Sequence, residues 1–245
     1  EGDMDAAVEF LRKNGQAKAE KKAGRIAAEG LCRVAVKDEG TAAVVEVNSE
    51  TDFVAKNEKF QNYVSDVAEQ ALNTSAADID AFLAEKWAKD PSLTVAEALS
   101  SQISIIGENM KIRRFAQLAE ENGFVASYIH AGGKIGVLVN LAVEGVDASE
   151  IGKNVAMQIA ALNPRFWDKS LVTEDVLEEE KKILVAQMDN DPKMASKPQQ
   201  VKEKIAAGKL NKFYEENCLL QQEFVKDNSM TVEKYIASAA KALGG

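Results

Sequence analysis

The sequence predicts an α+β fold built on a duplicated unit, in which a β-hairpin is followed by a helix. In two parts of the chain, paired runs rich in Val and Ile flank a Gly-containing turn and precede a segment with helical apolar spacing. Gly30 aligns with Gly123, and the run at 44–48 aligns with the run at 137–141. An internal repeat of this kind indicates two similar subdomains, lying side by side or sharing a sheet edge.

The composition is that of an ordinary globular chain of 245 residues, of which 46% are hydrophobic and 28% are charged. No apolar run reaches the roughly 18–20 residues that would cross a bilayer, and the first residues lack a signal-peptide pattern. The net charge of −9 disfavours direct contact with nucleic acid. We therefore expect a soluble cytoplasmic protein, of bacterial type or from an organelle matrix, with no membrane partner and no direct nucleic-acid partner.

The N-terminal segment is predicted to form two helices. Asp3 is a suitable N-cap for a short helix that stops at Asn14-Gly15. A second helical stretch, at 16–30, carries basic residues at spacings of three and four, which places them on one side: Lys18, Lys21, Lys22 and Arg25. This basic side is either a solvated surface or a docking surface for an acidic partner.

The first copy of the repeat begins with two β-rich runs joined at Lys37-Asp38-Glu39-Gly40, which predicts a hairpin. The helix at 58–72 should pack on this hairpin through its apolar face, which is formed by Phe60, Val64, Val67, Ala68 and Ala71. A polar segment that contains Pro91, at 76–102, is predicted to be helical and to link the first copy to the second.

The second copy has its hairpin turn at Gly132-Gly133. Its helix carries Ile151, Val155 and Ile159 on one face, and Asn163-Pro164 ends that helix. The order of elements therefore matches the first copy.

Two further helices, at 172–189 and 199–213, are predicted to form an antiparallel hairpin with a narrow apolar seam. The seam residues are Leu177, Ile183, Leu184, Met188, Val201, Ile205, Leu210 and Phe213. Such a helical hairpin buries little by itself, so we expect it to protrude and to contact a partner. A last helix is predicted at 231–243.

The sequence contains few residues that could carry out chemistry. It has no phosphate-binding loop of the GxxxxGK[ST] or GxGxxG type, and His130 is its single histidine, which removes multi-His metal sites and most catalytic triads. Cys32 and Cys218 lack CxxC spacing, which excludes a disulfide framework and fits a reducing compartment. The acidic run at 178–180 is predicted to lie on an exposed helix face. We expect no enzyme activity, no cofactor and no metal site.

Two loops stand out against this background. The stretch SETDFVAKN, at 49–57, follows the apolar run at 42–48 and places Asp52 beside Phe53 just past the end of a strand. By residue type, Phe53 is either a core residue that caps the sheet or a residue that contacts another protein. The stretch IIGENMKIRR, at 105–114, marks the transition from a helix to a strand.

TDFVAKNEKF, IGENMKIRR and HAGGKIGVLV, in that order over a duplicated α+β core, closely resemble the translation elongation factor Ts family. The resemblance covers nearly the whole chain. It implies a guanine-nucleotide exchange factor that binds the GTPase elongation factor Tu in its GDP form and releases GDP without making or breaking bonds.

The resemblance also implies the partner-binding residues. Asp52 and Phe53 would insert between two helices of the GTPase and disturb its Mg²⁺ site. The other positions that it implies are Thr51 and Val54 in the same motif, Ile106, Gly107 and Asn109 in the IGEN segment, His130 before the second hairpin turn, and Lys22.

The domain boundaries implied in this way divide the chain into four parts. Residues 1–28 would be the remnant of an N-terminal helical module with a linker helix, since the family pattern that precedes them is missing and the chain begins without Met. Residues 29–122 would be the first core subdomain, 123–171 with 214–245 the second, and 172–213 the coiled-coil-like helical hairpin.

Two other interpretations remain open at this stage. In the first, the protein is a non-catalytic scaffold or oligomerisation module that uses the helical hairpin, and Phe53 is ordinary core. In the second, it is a hydrolase, which would require carboxylates such as those at 178–180 to converge in a pocket. The sequence also leaves open a homodimer formed through the core or through the helical hairpin.

Overall fold

The computed structural model describes residues 3–38 and 40–244, and it confirms the α+β class. The chain divides into two compact units, the first ending at Ala156 and the second beginning at Met157. The four-part domain assignment stays a prediction. Over the described ranges, no helix combines the length and the apolar character needed to cross a membrane.

The first unit contains both hairpins of the predicted repeat. Its helices are α1 (Met4–Lys22), α2 (Asp52–Ala55), α3 (Glu58–Leu72), α4 (Ile79–Ala84) and α5 (Val95–Ile106). Its strands are β1 (Glu29–Asp38), β2 (Thr41–Ser49), β3 (Lys86–Trp87), β4 (Asp90–Thr94), β5 (Met110–Ala119), β6 (Gly123–His130) and β7 (Ile135–Ala142).

Helix α6 (Ser149–Leu162) crosses the boundary between the units and ends where Asn163-Pro164 was predicted to end it. The second unit continues with α7 (Glu174–Asn190), α8 (Gln199–Asn217), β8 (Glu223–Phe224), β9 (Asp227–Thr231) and α9 (Val232–Leu243). Short 3-10 turns lie at Lys169–Leu171 and Leu219–Gln221.

One continuous helix, α1, replaces the two helices predicted at the N-terminal end. Asp3 caps it as predicted, because its carboxylate accepts the backbone N–H of Asp5 at 3.0 Å. The helix does not stop at Asn14-Gly15, since it packs along α5 and Gly15 is buried on the packed side. This packing outweighs the cost of about 1 kcal/mol that Gly carries relative to Ala in a helix.

The end of α1 also corrects the predicted basic face. The helix ends at Lys22, and Arg25 lies in the turn that follows, where its N–H donates to the Lys22 carbonyl oxygen at 2.9 Å. Arg25 therefore does not share a helix with Lys18 and Lys21. Its guanidinium instead pairs with Glu50, at 3.5 Å.

Strand β2 is the centre of a three-stranded antiparallel sheet with the order β1-β2-β5. Ala43, Val45 and Val47 of β2 are buried in the main core. Helix α3 packs on β1 and β2 as predicted, and its five predicted face residues are all buried. Glu39 of the predicted hairpin turn lies outside the described residues.

The second hairpin, β6–β7, forms a separate two-stranded sheet. It packs against β1 and β2, and the Cys32 N–H of β1 donates to the Gly133 carbonyl oxygen at 2.6 Å. The aligned glycines have the same role in both hairpins, because a Cβ at Gly30 would overlap the Val47 carbonyl oxygen and one at Gly123 would overlap that of Leu141. The predicted repeat of hairpin and helix is confirmed.

The repeat extends further than the sequence predicted. After α3, the first copy continues with the small hairpin β3–β4 and then α5, and after α6 the second copy has β8–β9 and then α9. The segment at 76–102 is therefore only partly helical, and Pro91 lies in β4. The small strands escape a search for periodicity because two to five residues cannot display one.

A buried glutamine holds the small hairpin in each copy. In the first, Gln70 Nε2 donates to the Lys86 carbonyl oxygen at 3.2 Å and its Oε1 accepts the Ala88 N–H at 2.8 Å. In the second, Gln158 makes the same two bonds, to the Glu223 carbonyl oxygen at 3.0 Å and to the Val225 N–H at 2.8 Å. The equivalence places the α7–α8 hairpin inside the second copy, between its first helix and its small hairpin.

Helices α7 and α8 pack antiparallel, as predicted. Phe213 of α8 packs near Leu177 of α7 at one end, and Lys202 Nζ reaches Asp189 at the other, where it also donates to the Ala195 carbonyl oxygen at 2.9 Å.

Part of the predicted seam between these helices is wrong. Ile183 and Val201 are exposed, whereas Lys202 and Ala206 are buried on α8. At this end of α8, the buried positions are therefore shifted by one residue from the predicted Val201 and Ile205 to Lys202 and Ala206. The Lys202 ammonium tolerates burial because Asp189 and the Ala195 carbonyl oxygen accept its hydrogen bonds.

Both cysteines are free thiols, and they lie in different units. Burial raises the pKa of Cys32 and of Cys218, so both thiols stay protonated near neutral pH.

The duplicated glutamine gives a stability prediction for the second unit. Gln158→Leu should lower its free energy of unfolding by about 2–4 kcal/mol, because the Val225 N–H and the Glu223 carbonyl oxygen lose their buried partner. Trp167 is the only tryptophan in the second unit, so its fluorescence in a Trp87→Phe background reports this transition during urea denaturation. Gln199→Leu, at an exposed glutamine of α8, is the matched control. An equal loss of unfolding free energy in both variants would contradict the role of Gln158 in holding the small hairpin.

Candidate protein-docking site

The chain leaves β2 at Ser49 and turns directly into the four-residue helix α2. Ser49 is fully buried, and its hydroxyl donates to the Thr51 carbonyl oxygen at 3.1 Å. Thr51 caps the helix by accepting the Val54 N–H at 3.3 Å. Ala55 is buried and Val54 packs against the main core, so one side of α2 is anchored.

Phe53 lies on the other side of α2, with 81% of its surface exposed, whereas Phe60 in the next helix is fully buried. Phe53 is therefore not a core residue, and the scaffold interpretation is wrong in placing this ring in the core. Its exposure makes the ring available to another protein, and aromatic side chains are enriched among the residues that dominate such contacts.

Asp52 lies beside Phe53 at the N-terminus of α2. Its carboxylate pairs with Lys56 at 2.7 Å, one helical turn later. The hydrogen bond and charge of Lys56 hold the pKa of Asp52 below its ordinary value, and Lys134 adds a smaller effect in the same direction. Asp52 is therefore charged at neutral pH.

The IGEN segment lies against the start of α2. Gly107 ends α5 in the left-handed conformation, with φ 89°, and its N–H donates to the Ile103 carbonyl oxygen at 2.9 Å. This turn directs Glu108 back to the 50–51 peptide, where its carboxylate accepts the N–H groups of Glu50 and Thr51 at 3.1 and 3.0 Å. Glu108 was not among the predicted site residues.

Asn109 joins this segment to the end of α1. Its side chain donates to the Arg25 carbonyl oxygen at 2.7 Å, and its backbone N–H donates to Glu50 at 2.6 Å. Lys22 is half-buried at the last position of α1 and reaches the same region through the Arg25 turn. The structure therefore brings together the predicted residues Thr51 and Asn109, which bond the Glu108 and Glu50 carboxylates, whereas Lys22 is joined to them only through the backbone of the Arg25 turn.

The two isoleucines before Gly107 differ in exposure. Ile106, the predicted contact residue, is half-buried and packs against the main core, whereas 64% of Ile105 is exposed. The sequence does not show which of these two isoleucines is exposed, because their exposure depends on which side of α5 meets the sheet.

His130 lies at the end of β6 and is exposed. Its Nδ1 atom is 3.0 Å from the Tyr128 hydroxyl, so its ring is oriented by its own strand rather than by the TDF segment. The following turn connects it to the site, since Lys134 pairs with Glu29, which lies opposite Ser49 in the sheet. Lys134 was also absent from the predicted site residues.

The described residues contain no group of three or more His, Cys, Asp or Glu side chains that could hold a metal ion. Glu178 and Glu179 are exposed and pair with Lys181 and Lys182, as expected of a solvated helix. Glu178 lines a surface cavity together with Asp189 and Glu203, but its carboxylate is paired with Lys181, so this run does not supply the two free, converging carboxylates that the hydrolase interpretation requires. The site has the features of a docking surface, with an anchored turn that presents an aromatic ring and a charge.

Comparison with known proteins gives one consistent result. The family model described as Elongation factor TS matches residues 50–244. Proteins named Elongation factor Ts are similar over almost the whole chain: that of Trichlorobacter lovleyi is 48% identical over 251 residues, covering 100% of this chain and 79% of the relative. Those of Clostridium tetani and Clostridioides difficile are 45% and 46% identical, covering 99% and 100% of this chain and 80% and 79% of the relatives.

The fold is that of an α+β protein, and the matches place the chain among the translation elongation factors. The chain belongs to the elongation factor Ts family.

The exposure of Phe53 predicts that this ring adds little to the stability of its own chain. Phe53→Ala should change the free energy of unfolding by less than about 0.5 kcal/mol, whereas Phe60→Ala should cost about 3–5 kcal/mol because it empties a core position. Urea denaturation followed by Trp87 fluorescence, in a Trp167→Phe background, measures both. A loss of several kcal/mol in Phe53→Ala would show that the ring is part of the core.

Proposed function

We propose that this protein is a guanine-nucleotide exchange factor for the GTPase elongation factor Tu, and that Asp52 and Phe53 are inserted into that partner. The observation that supports the proposal is an 81% exposed phenyl ring on a helical turn that is anchored by Thr51, Val54 and Ala55. Membership of the elongation factor Ts family supports a role in translation elongation.

The exchange reaction needs a partner that binds the nucleotide-free GTPase better than the nucleotide-bound form. Thermodynamic linkage requires that two ratios be equal. Binding of the exchange protein weakens nucleotide affinity as much as bound nucleotide weakens affinity for the exchange protein. Burial of the Phe53 ring in the GTPase would supply about 1.5–3 kcal/mol of binding free energy. This energy favours release of GDP if the pocket for the ring opens only when the nucleotide site is disturbed.

Asp52 would act through its charge. A carboxylate beside the inserted ring fixes the orientation of insertion and competes for the groups around the Mg²⁺ ion of the GTPase. Its pair with Lys56 is exposed, and such pairs are weak, so Asp52 can exchange this partner for groups of the GTPase.

The remaining predicted residues would have supporting roles. Ile106, Gly107 and Asn109 would hold the adjoining segment, and His130 and Lys22 would contact other parts of the GTPase. No bond is made or broken in the factor itself, which acts in the cytoplasm without binding nucleic acid directly. A homodimer through the core or the α7–α8 hairpin stays a prediction.

Removal of the Phe53 ring should slow stimulated GDP release. We expect Phe53→Ala to lower the rate by about 10–100-fold at a fixed factor concentration, which corresponds to the loss of 1.5–3 kcal/mol of transition-state binding. Stopped-flow fluorescence of a labelled GDP bound to elongation factor Tu measures this rate. Phe10→Ala, which removes an exposed ring from α1, is the matched control. Release at the wild-type rate with Phe53→Ala would refute the insertion.

Removal of the Asp52 charge should give a smaller effect that depends on salt. Asp52→Asn keeps the shape of the side chain, so we expect release to slow by about tenfold or less at low ionic strength, with the difference shrinking as salt screens the charge. The same kinetics at several salt concentrations test this. Asp66→Asn is the control, because Asp66 also pairs with a lysine, Lys89, at 3.2 Å. A defect that stays constant with salt would argue against an electrostatic role.

A further inference from the structure

Two carboxylates join the start of α2 to the IGEN segment: that of Glu108 accepts the N–H groups of Glu50 and Thr51, and that of Glu50 accepts the N–H of Asn109. We propose that this pair, the carboxylate clasp, sets the position from which Asp52 and Phe53 meet their partner, so that Glu108 is a positioning residue for nucleotide release. This inference rests on the proposed function, and it adds Glu50 and Glu108 to the residues named there.

Glu108 bonds three groups at the entrance to α2. Its Oε2 atom accepts the N–H groups of Glu50 and Thr51, at 3.1 and 3.0 Å, and its Oε1 atom accepts the Thr51 hydroxyl at 2.6 Å. Hydrogen bonds to a carboxylate are stronger than those between neutral groups, and these three come from two consecutive residues. Glu108 therefore fixes both the backbone and the side chain of the residue that caps α2.

The Glu50 carboxylate in turn bonds the backbone of the IGEN segment. Its Oε1 atom accepts the Asn109 N–H at 2.6 Å and lies 3.5 Å from the Arg25 guanidinium. Each carboxylate thus bonds the backbone next to the other carboxylate. The arrangement brings two negative charges near each other, and Arg25 and the peptide N–H groups compensate for their repulsion.

The position of Phe53 depends on the backbone of α2, because its exposed ring has little contact with its own chain. A helix of four residues cannot hold its shape by itself, since nucleation of the first turn is unfavourable. Val54 and Ala55 anchor α2 to the core, and the clasp fixes its N-terminal end. Without the clasp, the peptides that precede Asp52 and Phe53 lose their attachment to the IGEN segment.

The inference is tested with Glu108→Ala, alone and combined with Phe53→Ala. Stimulated GDP release should fall by about tenfold or more in Glu108→Ala, because a displaced contact group loses most of its effect. In the Phe53→Ala background, the same change should add a smaller defect than in the wild type, of about tenfold or less, because only the Asp52 contribution is left to lose. Glu108→Gln keeps an acceptor oxygen for the two backbone N–H groups and should restore most of the rate.

The matched control is Glu85→Ala. Glu85 is also half-buried, and its carboxylate accepts Gln70 Nε2 at 3.2 Å and the Thr74 hydroxyl at 2.6 Å. This change should lower stability without slowing release. A second readout, independent of the partner, is amide hydrogen exchange: the N–H groups of Glu50 and Thr51 should exchange faster in Glu108→Ala, while those of Val45 and Val47 in β2 should not change.

The outcomes separate this inference from the proposed function. Faster local exchange with slow release, and a smaller added defect in the double variant than in the wild type, supports the clasp as a positioning device. Unchanged amide exchange, or normal release by Glu108→Ala when Phe53→Ala is slow, overturns the clasp and leaves the proposed function standing. Normal release by Phe53→Ala overturns the proposed function, and the positioning role falls with it.

Discussion

The packing of α3 against the central strand β2 fixes the point at which the chain leaves the sheet, and the docking site depends on that point. Val45 and Val47 are buried between the helix and the sheet, so β2 cannot slide or turn over without exposing them. Ser49 is consequently the last sheet residue, and α2 begins at one defined place. The position of Asp52 and Phe53 thus depends on residues of the main core.

Much of the fold could be predicted because its signals are local. Apolar periodicity located α3 and α6, and the aligned glycines located both hairpins. The joining of two predicted helices into α1 could not be foreseen, since it depends on packing against α5, which is distant in the sequence. The small hairpins were missed because their strands are too short to show a period.

The site was only partly predictable for a similar reason. The TDF motif identified Asp52 and Phe53, but residue type alone could not decide whether the ring faces the core or solvent. Glu50 and Glu108 are common residues in an acidic chain, and only the tertiary structure shows that their carboxylates bind each other's peptides. Lys134 was missed because its partner, Glu29, lies in another hairpin.

The paired glutamines have a consequence for how the two copies could diverge. Gln70 and Gln158 hold their small hairpins through main-chain atoms, which every amino acid supplies. Those two contacts make no demand on the hairpin side chains, and Trp87 in one copy stands where the other has Phe224. Other positions are the same in both copies, since Asp90, Ser92 and Thr94 recur as Asp227, Ser229 and Thr231. Because Gln158 fixes the small hairpin of the second copy through main-chain atoms, that copy could accept the long α7–α8 segment ahead of the hairpin and keep the same geometry.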